Sequence, residues 1–151
     1  MRITLTAQSS ASLSIPIREF WLSPSDSPMP IGRTSKVEAK NYLASPDNAW
    51  FDSPVMSRKH AELSVDKDTK VHTHAISDVS PPLLIFLQTV YMKDLGSTHG
   101  TFINGEEHPL KKDEFRALRD GDRARFGVPI FRGSDTFPPA DIQVGIHHTE
   151  R

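Results

Sequence analysis

Apolar residues alternate with polar ones in several short segments of this 151-residue chain. Alternation with a period of two places the apolar side chains on one face of a β-strand whose other face is exposed. A continuous apolar run, Leu83 to Leu87, is typical of a strand covered on both faces, although five residues do not distinguish it from a helical turn. The alternating residues are Ile3 and Leu5; Ala61, Leu63 and Val65; and Ile142, Val144 and Ile146.

The parity of the apolar residues changes near the N-terminal end of the chain. Ile15 and Ile17 share one parity, whereas Phe20 and Leu22 share the other. One extra residue in a strand moves every following side chain to the opposite face. If this segment is a single strand, the change predicts a β-bulge between Ile17 and Phe20.

Prolines and glycines between these segments predict turns. The chain has 12 prolines and 8 glycines. The pairs Asn104-Gly105 and Asp120-Gly121 favour the left-handed conformations of tight hairpin turns. Apolar residues do not recur at helical spacing over three turns, and only Lys36 to Leu43 and Lys111 to Leu118 are candidates for short helices. Many short strands separated by turns indicate an all-β sandwich or barrel.

The length of the chain fits a single domain covering residues 1–151. Two polar stretches, 34–52 and 66–82, are predicted to be loop insertions on the core of short strands. Insertions of this kind are tolerated because the entropy of loop closure grows slowly with loop length.

The charge balance limits the class of partner. Lys and Arg number 18 and Asp and Glu 19, so the formal net charge is -1. Proteins dedicated to nucleic acids normally carry a basic excess, so we expect neither nucleic acid nor a membrane surface as a direct partner. The longest apolar run is far shorter than the ~20 residues that span a bilayer. The lack of cysteine excludes disulfides, thiol catalysis and cysteine-based zinc sites.

Three separated segments carry the residue types of a small anion site: Ile31-Gly32-Arg33, Ser57 to His60, and Asp94 to Gly105. Arginine offers a planar donor fork that suits phosphate oxygens. Serine and threonine hydroxyls donate neutral hydrogen bonds, and glycine-rich turns expose backbone N–H groups. The GxxxxGK[ST] pattern is absent, so a nucleotide P-loop is excluded.

The order of these segments resembles the forkhead-associated (FHA) family of phosphothreonine-peptide-binding domains. The family pattern is Gly-Arg, then Ser-x-x-His, then a GSTxGTxxNG block, and Gly32-Arg33, Ser57 to His60 and Gly96 to Gly105 match it. A fourth match, Leu118 to Asp122 followed by Phe126-Gly127, resembles the family's later DGD…FG hairpin. The resemblance therefore covers about residues 3–146, which it implies to be the core of the domain. The resemblance implies a sandwich of two twisted sheets with about eleven strands, which binds peptide through the loops at one end.

The resemblance also implies a role for each motif residue. Arg33 and Ser57 are implied to bind phosphate oxygens, and Arg58 to contact either the phosphate or the peptide backbone. His99 stands where many members have an asparagine that bonds the peptide main chain. The implied phosphopeptide-binding set is Arg33, Ser57, Arg58, Ser97, Thr98 and His99. The implied structural set, which shapes the loops, is Gly32, His60, Gly96, Gly100 and Asn104.

Other chemistries have weaker support in the sequence. His72 and His74 form half of a possible metal site, but no third ligand lies near them, so neither a metal nor a cofactor is expected. Ser57 and His60 are close in sequence, yet a nucleophile also needs a base in reach and an acid that orients the base. No nucleophile elbow supports a phosphatase or hydrolase, and we expect a protein that is not an enzyme.

The resulting hypothesis is a module that binds phosphothreonine peptides or proteins and recruits phosphorylated partners in signalling. The alternative is a phosphorylation-independent interaction module that uses a sheet face or the inserted loops. The resemblance implies an intracellular location, with the nucleus favoured over the cytoplasm. The pattern gives no oligomeric state, and the identity of the partner is not readable from it.

Overall fold

The computed structural model describes residues 1–8, 15–35, 43–66, 70–74 and 83–148, with only the backbone described at 70–74 and 83–87. This part of the chain contains β-strands and turns and no helix, and therefore no helix able to cross a membrane. The strands are β1 (Arg2–Ala7), β2 (Arg18–Trp21), β3 (Met29–Arg33), β4 (Ala49–Phe51), β5 (Ala61–Val65), β6 (Lys70–His74), β7 (Leu83–Leu87), β8 (Val90–Asp94), β9 (Thr101–Ile103), β10 (Phe115–Leu118), β11 (Arg123–Phe126), β12 (Ile130–Arg132), β13 (Asp135–Phe137) and β14 (Ala140–His147).

Two five-stranded sheets form a sandwich. The first sheet has the order β2-β1-β14-β11-β9, and the second has the order β10-β8-β5-β3-β4. All of their strand pairs are antiparallel except β3 with β4. The predicted all-β sandwich is confirmed. Its two sheets contain ten of the strands in the described residues, and the remaining four pair as the two hairpins β6-β7 and β12-β13.

The core lies between the two sheets and follows the alternation in the sequence. In β1, Ile3 and Leu5 are buried and stand opposite Ile146 and Val144 of β14. In β5, Leu63 is buried opposite Met92 of β8. Burial of such side chains is worth roughly 1.5–3 kcal/mol each relative to exposure. The three alternating segments therefore form strands with the inward faces that their patterns predict.

Arg18 joins the two sheets at one edge. Its side chain is buried and donates hydrogen bonds to the carbonyl oxygens of Ser45 and Trp50, the latter at 3.1 Å. Its guanidinium lies 5.2 Å from the centre of the Phe51 ring. Burial lowers the pKa of Arg18. The side chain thus ties β2 of the first sheet to β4 of the second.

The predicted bulge between Ile17 and Phe20 is wrong. Strand β2 begins at Arg18, and Ile17 is 64% exposed. Ile15 packs against the core from outside any strand. Pro16 separates the two isoleucines and has no N–H for a strand ladder, so the change of parity marks the start of a strand and not a bulge.

Both predicted loop insertions contain strands. The stretch 34–52 includes β4, which is buried throughout and runs parallel to β3. The stretch 66–82 includes β6, which pairs with β7. Strand β4 was missed because it is only three residues long, and β6 was missed because its sequence is largely polar. Residues 36–42, most of one candidate helix, lie outside the described residues. The other candidate, Lys111 to Leu118, is instead a bridge followed by strand β10, which pairs with β8.

The Asn-Gly and Asp-Gly turns are tight, but neither closes a hairpin. Asn104 and Gly105 have φ values of 50° and 72°, and Gly121 has 88°. The first turn leads from β9 in the first sheet towards β10 in the second, and the other leads from β10 back to β11 in the first. The hairpin prediction is therefore wrong, since the flanking strands belong to different layers.

The motif segments meet at one end of the second sheet. Arg33 is the last residue of β3, Ala61 is the first of β5, and Asp94 is the last of β8. Ala61 stands opposite both Ile31 and Asp94 in the strand register. In an antiparallel pair, one strand ends where its neighbour begins. The loops that carry Ser57 and Thr98 therefore come together beside Arg33, at the same end of the sheet.

Candidate functional site

Backbone hydrogen bonds hold the first two motifs against each other. The Arg33 N–H donates to the Ser57 carbonyl oxygen at 3.0 Å, and the His60 N–H donates to the Ile31 carbonyl oxygen at 3.0 Å. The third motif joins them, because the Leu95 N–H donates to the His60 carbonyl oxygen at 3.0 Å. The position of Ser57 relative to Arg33 is thus set by main-chain contacts and not by flexible side chains.

Ser57 and Thr98 make direct contact although they lie far apart in sequence. The Thr98 N–H donates to the Ser57 hydroxyl at 3.0 Å, and the two hydroxyl oxygens are 3.5 Å apart. Ser57 is half-buried and Thr98 is exposed. Two hydroxyl groups, each able to donate to an anion, therefore stand side by side at the surface.

His60 is buried beneath this contact and braces both loops. Its Nδ1 accepts a hydrogen bond from the Ser57 N–H at 3.1 Å, and its Nε2 lies 2.9 Å from the Gly100 carbonyl oxygen. A carbonyl oxygen only accepts, so Nε2 carries the proton. The ring also packs edge-on against Phe126 at 5.4 Å. Burial lowers the pKa of His60, outweighing the Gly100 hydrogen bond and the charge of Asp94, which raise it.

Asp94 organises the glycine-rich loop from within. One carboxylate oxygen accepts from the N–H groups of Gly96 and Ser97 at 2.8 and 2.9 Å. The other accepts from the hydroxyls of Ser97 and Thr101 at 2.6 and 2.7 Å. Burial raises the pKa of Asp94, but these hydrogen bonds outweigh burial and the pKa is lowered overall. The Ser97 hydroxyl also accepts from the Gly100 N–H at 3.0 Å, which closes the loop.

Gly32 allows the loop that carries Ser57 and Arg58 to lie against strand β3. A Cβ atom at this position would stand 2.0 Å from the Arg58 carbonyl oxygen and 2.8 Å from the Trp50 ring. Such approaches are sterically forbidden, so the sequence needs glycine here for close contact of two backbones. The Gly-Arg pair therefore combines a packing residue with a charged one.

The two motif arginines are available to a ligand. Arg33 is half-buried and Arg58 is exposed. In the part of the chain that the structure describes, neither guanidinium takes part in an ion pair, and the ion pairs there belong to Lys93 and Arg116. The charges of the two motif arginines are thus not compensated by an ion pair among these residues.

The remaining motif residues lie around this centre. His99 is half-buried and, with Thr98, borders a groove that extends away from Ser57. Asn104 accepts from the Arg123 N–H at 2.9 Å and donates to the Asp122 carboxylate at 3.1 Å, which fastens the end of the block to β11. The described residues contain no cluster of three or more potential metal ligands. The side chains of His72 and His74 lie outside the described residues.

Sequence comparison assigns the fold and its motifs to a known family. The family model of the FHA domain matches residues 30–127, which include all the motif residues. The chain belongs to the FHA domain family.

Two curated proteins are similar in sequence to part of this chain. An uncharacterized protein of Schizosaccharomyces pombe is 35% identical over 107 residues, covering 70% of this chain and 30% of that protein. Vacuolar protein sorting-associated protein 64 of Saccharomyces cerevisiae is 31% identical over 96 residues, covering 64% of this chain and 12% of that protein. The chain therefore spans less than a third of the length of either relative.

A solved FHA structure shares the fold. The N-terminal FHA domain of Saccharomyces cerevisiae Rad53p, in complex with a phosphothreonine peptide, superimposes with a TM-score of 0.56 at 18% sequence identity. The superposition covers 97% of this chain and 94% of that one. Likeness at this level of identity shows that the sandwich and its loop order are those of an FHA domain.

Sequence reasoning left two residues of the FHA site without a role: Asp94, which anchors the loop, and Lys112, which lies along it. A signal for Asp94 was present, because an aspartate two residues before a Gly-Ser pair is typical of a turn closed by a side-chain carboxylate. No signal pointed to Lys112, since it stands in a polar segment well after the motif. The binding role implied for Ser97 stays a prediction, and its hydroxyl is occupied by Asp94 and the Gly100 N–H.

Proposed function

We propose that this FHA domain binds phosphothreonine in a partner protein and acts as a phosphorylation-dependent binding module. The observation that carries the proposal is the Ser57–Thr98 contact, which the main chain joins to Arg33 through the Arg33 N–H bond to Ser57 and to Arg58 as the next residue. The phosphothreonine peptide bound by the Rad53p domain supports it, because that domain shares the fold.

The charge and donor types of the site suit one phosphate group. A phosphorylated threonine carries about -1.5 to -2 charges at neutral pH and offers three acceptor oxygens. Two guanidinium groups nearly neutralise that charge, and the hydroxyls of Ser57 and Thr98 supply neutral donors. The net charge of -1 for the whole chain is compatible with this ligand, since Arg33 and Arg58 belong to segments that meet at the site.

The surroundings of His60 support binding by Ser57 over nucleophilic catalysis. A serine nucleophile requires a base that can take its proton. The Nδ1 atom of His60 accepts the Ser57 main-chain N–H, and its Nε2 atom already bears a proton facing the Gly100 carbonyl. Neither ring nitrogen is free to accept the Ser57 hydroxyl proton. We therefore assign Ser57 a role in binding and not as a nucleophile.

The test begins with an oriented phosphothreonine-peptide library, and the best peptide is then titrated by calorimetry in three forms. We expect the phosphothreonine form to bind best and the unmodified threonine form to bind weakly. The phosphoserine form lacks one methyl group, which in a small pocket is worth roughly 10- to 200-fold. Equal affinity for all three forms would contradict the proposal.

Arg33→Ala is the variant expected to lose binding of the phosphothreonine peptide. Removing one partner of a charge-assisted pair is expected to cost about 2–5 kcal/mol of binding free energy. Arg33→Lys should also bind poorly, because a point charge does not reproduce the guanidinium fork. Arg132→Ala, an exposed arginine on the β12-β13 hairpin, is the control and should bind with wild-type affinity.

A second candidate is phosphorylation-independent binding through the outer face of the second sheet. Phe115 on the edge strand β10 is 58% exposed and packs against Tyr91 at 6.3 Å. Lys93 covers the Phe115 ring at 4.9 Å and pairs with Glu62 at 3.0 Å. Aromatic residues are enriched in protein–protein interfaces, so this face is a candidate contact surface. Partner binding that survives Arg33→Ala and is lost in Phe115→Ala would favour this candidate.

The wider role follows from the ligand. We propose that the module recruits phosphorylated partners in intracellular signalling, with the nucleus favoured as its location. Both curated relatives are much longer than this chain, which is consistent with a recognition module that serves other segments of a larger protein.

A further inference from the structure

A groove extends from the Ser57–Thr98 contact along the glycine-rich loop. Its volume is about 410 Å³. The loop residues Gly96, Thr98 and His99 form one wall, and Pro109, Lys112 and Val128 lie on the others. Because Thr98 belongs to both, the groove is continuous with the proposed phosphate site.

The backbone of Lys112 is fixed beside this loop. Lys112 forms a parallel bridge with Asp94, and the next N–H, that of Asp113, donates to the Asp94 carbonyl oxygen at 2.9 Å. The aliphatic stem of Lys112 then runs against Gly96. A Cβ atom at Gly96 would stand 3.2 Å from Cδ and 3.3 Å from Cε of the lysine. The absence of a side chain at Gly96 therefore leaves room for the lysine stem along the loop.

The charge of Lys112 is uncompensated within the groove. Lys112 takes part in no ion pair among the residues that the structure describes. The acidic residue among those lining the groove is Asp94, which is buried and accepts four hydrogen bonds from its own loop. Nearby Glu114 accepts the Lys111 N–H and lies 3.8 Å from Arg116. His99 adds a second basic side chain to the wall.

We propose that Lys112 is a specificity-determining residue that selects an anionic side chain close to the phosphothreonine in the bound peptide. The proposal rests on the proposed function, since the phosphothreonine places the peptide across the groove. Gly96 and Thr98 are two residues apart, which is at most about 7 Å along an extended chain. The anionic side chain therefore lies within about three residues of the phosphothreonine. The shared chemistry is an anion, supplied by Asp or Glu or by a second phosphorylated residue.

The experiment is a panel of phosphothreonine peptides with alanine at the three positions on either side. Each alanine is replaced in turn by glutamate, and phosphoserine is then placed at the position where glutamate improves binding most. We expect glutamate at one position to tighten binding by about 5-fold, in the upper range for an exposed ion pair. Phosphoserine that binds tighter than glutamate there identifies a second phosphate as the preferred source, and glutamate that binds equally well or better identifies a carboxylate.

Charge reversal at the lysine connects the preference to this residue. Lys112→Glu should abolish the preference for glutamate and favour lysine at the same peptide position, whereas Lys112→Arg should retain the wild-type preference. Lys111→Glu is the matched control, because Lys111 is next to Lys112 in sequence but does not line the groove. Thermal unfolding of each variant checks that the fold is intact.

The two proposals fail in different ways. If the wild-type domain prefers phosphothreonine over threonine but shows no glutamate preference, or one that Lys112→Glu leaves unchanged, the role of Lys112 is overturned and the proposed function stands. If no peptide shows dependence on phosphorylation, the proposed function fails and the role of Lys112 fails with it.

Discussion

One carboxylate, that of Asp94, is the internal scaffold of the glycine-rich loop. It accepts two main-chain N–H groups and two hydroxyls, and all of these donors come from its own loop and the start of β9. Hydrogen bonds to a charged acceptor contribute about 1.5–3 kcal/mol, more than those between neutral groups. The position of Thr98 at the surface therefore depends on a charge that is buried beneath the loop.

Asp94→Asn is expected to lower the free energy of unfolding by about 2–3 kcal/mol, because the amide keeps the shape but loses the charge and one acceptor atom. Urea unfolding monitored by tryptophan fluorescence measures the change. The same variant should bind the phosphothreonine peptide more weakly, since the loop between Ser97 and Gly100 loosens.

Asp113→Asn is the control for that substitution. Asp113 is exposed and has a φ of 63°, a conformation that asparagine also adopts readily. Its unfolding free energy should stay within about 0.5 kcal/mol of wild type, as for most surface changes. A similar loss in both variants would show that Asp94 has no special structural role.

At the scale of residues, the sequence locates the motif residues but does not show which of their hydroxyl groups are used within the loop. Hydroxyl groups look alike in a sequence, so Ser97 and Thr98 were both assigned to the ligand. Only the structure shows that the Ser97 hydroxyl bonds Asp94 while the Thr98 N–H bonds Ser57. The separation arises from the fold of the loop, where neighbouring side chains point in different directions.

At the scale of elements, the relation between β3 and the loop after β4 decides the geometry of the site. Strand β3 lies between β5 and β4, and its Gly32 touches the carbonyl of Arg58. A strand that also serves as the floor for a binding loop has no space for a side chain at the point of contact.

Gly32→Ala is expected to reduce stability by about 1–3 kcal/mol, the range for overpacking a close contact. It should also weaken phosphothreonine-peptide binding by at least about 10-fold, or 1.4 kcal/mol, because the Ser57–Arg58 segment must move away. Chemical unfolding and calorimetry measure the two effects.

Gly133→Ala separates this effect from backbone strain. Gly133 lies at the turn of the β12-β13 hairpin, has a φ of 60°, and an added Cβ would meet nothing within 4 Å. A loss of about 1 kcal/mol in stability with unchanged peptide affinity is expected there. Unchanged affinity in Gly32→Ala as well would contradict the explanation that a Cβ atom at Gly32 displaces the Ser57–Arg58 segment.

The elements with regular alternation were predictable, and those without it were not. Strands β1, β5 and β14 keep one buried face, so a period of two was visible. Strand β4 is buried on every residue and only three residues long, which leaves no alternation to detect. Turn residues revealed where the chain reverses, but Asn104-Gly105 and Asp120-Gly121 carry no information on which sheet the next strand joins.

At the scale of the whole molecule, the buried neutral His60 links stability to pH. Its pKa is lowered from the ordinary 6.5 because burial disfavours the charged ring. Below about pH 6.5 the unfolded chain takes up a proton at this position that the folded chain refuses. Its contribution to stability is therefore complete above pH 6.5 and lost progressively as the pH falls below that value.

We expect the free energy of unfolding to fall as the pH is lowered from 7.5 to 5.5, and to fall less steeply in His60→Gln, whose side chain does not titrate. Urea unfolding at several pH values gives both slopes. His148→Gln, at an exposed position near the end of β14, should keep the wild-type slope. Identical slopes in wild type and His60→Gln would rule out this source of acid sensitivity.

The sequence predicted the overall architecture, whereas its net charge gave little information about the ligand. Short strands and dense turns were enough to indicate an all-β sandwich or barrel, and the family resemblance selected the sandwich. The net charge indicated only which partners to exclude. The placement of charge matters more: Arg33, Arg58 and Lys112 lie on different segments that become neighbours through strand pairing, and pairing across long sequence separations has no local signature.

The register of β5 and β8 has a consequence for engineering the domain. The chain leaves the second sheet after Val65 and returns at Val90, and these two residues face each other in adjacent strands. The sheet thus holds the two ends of this segment together. They lie four residues along the strand, or about 13 Å, from the end of the sheet that carries the site. Doubling the length of a closed loop costs only about 0.6 kcal/mol. A reporter group or a second binding module inserted between Val65 and Val90 is therefore expected to leave peptide binding at the other end unchanged.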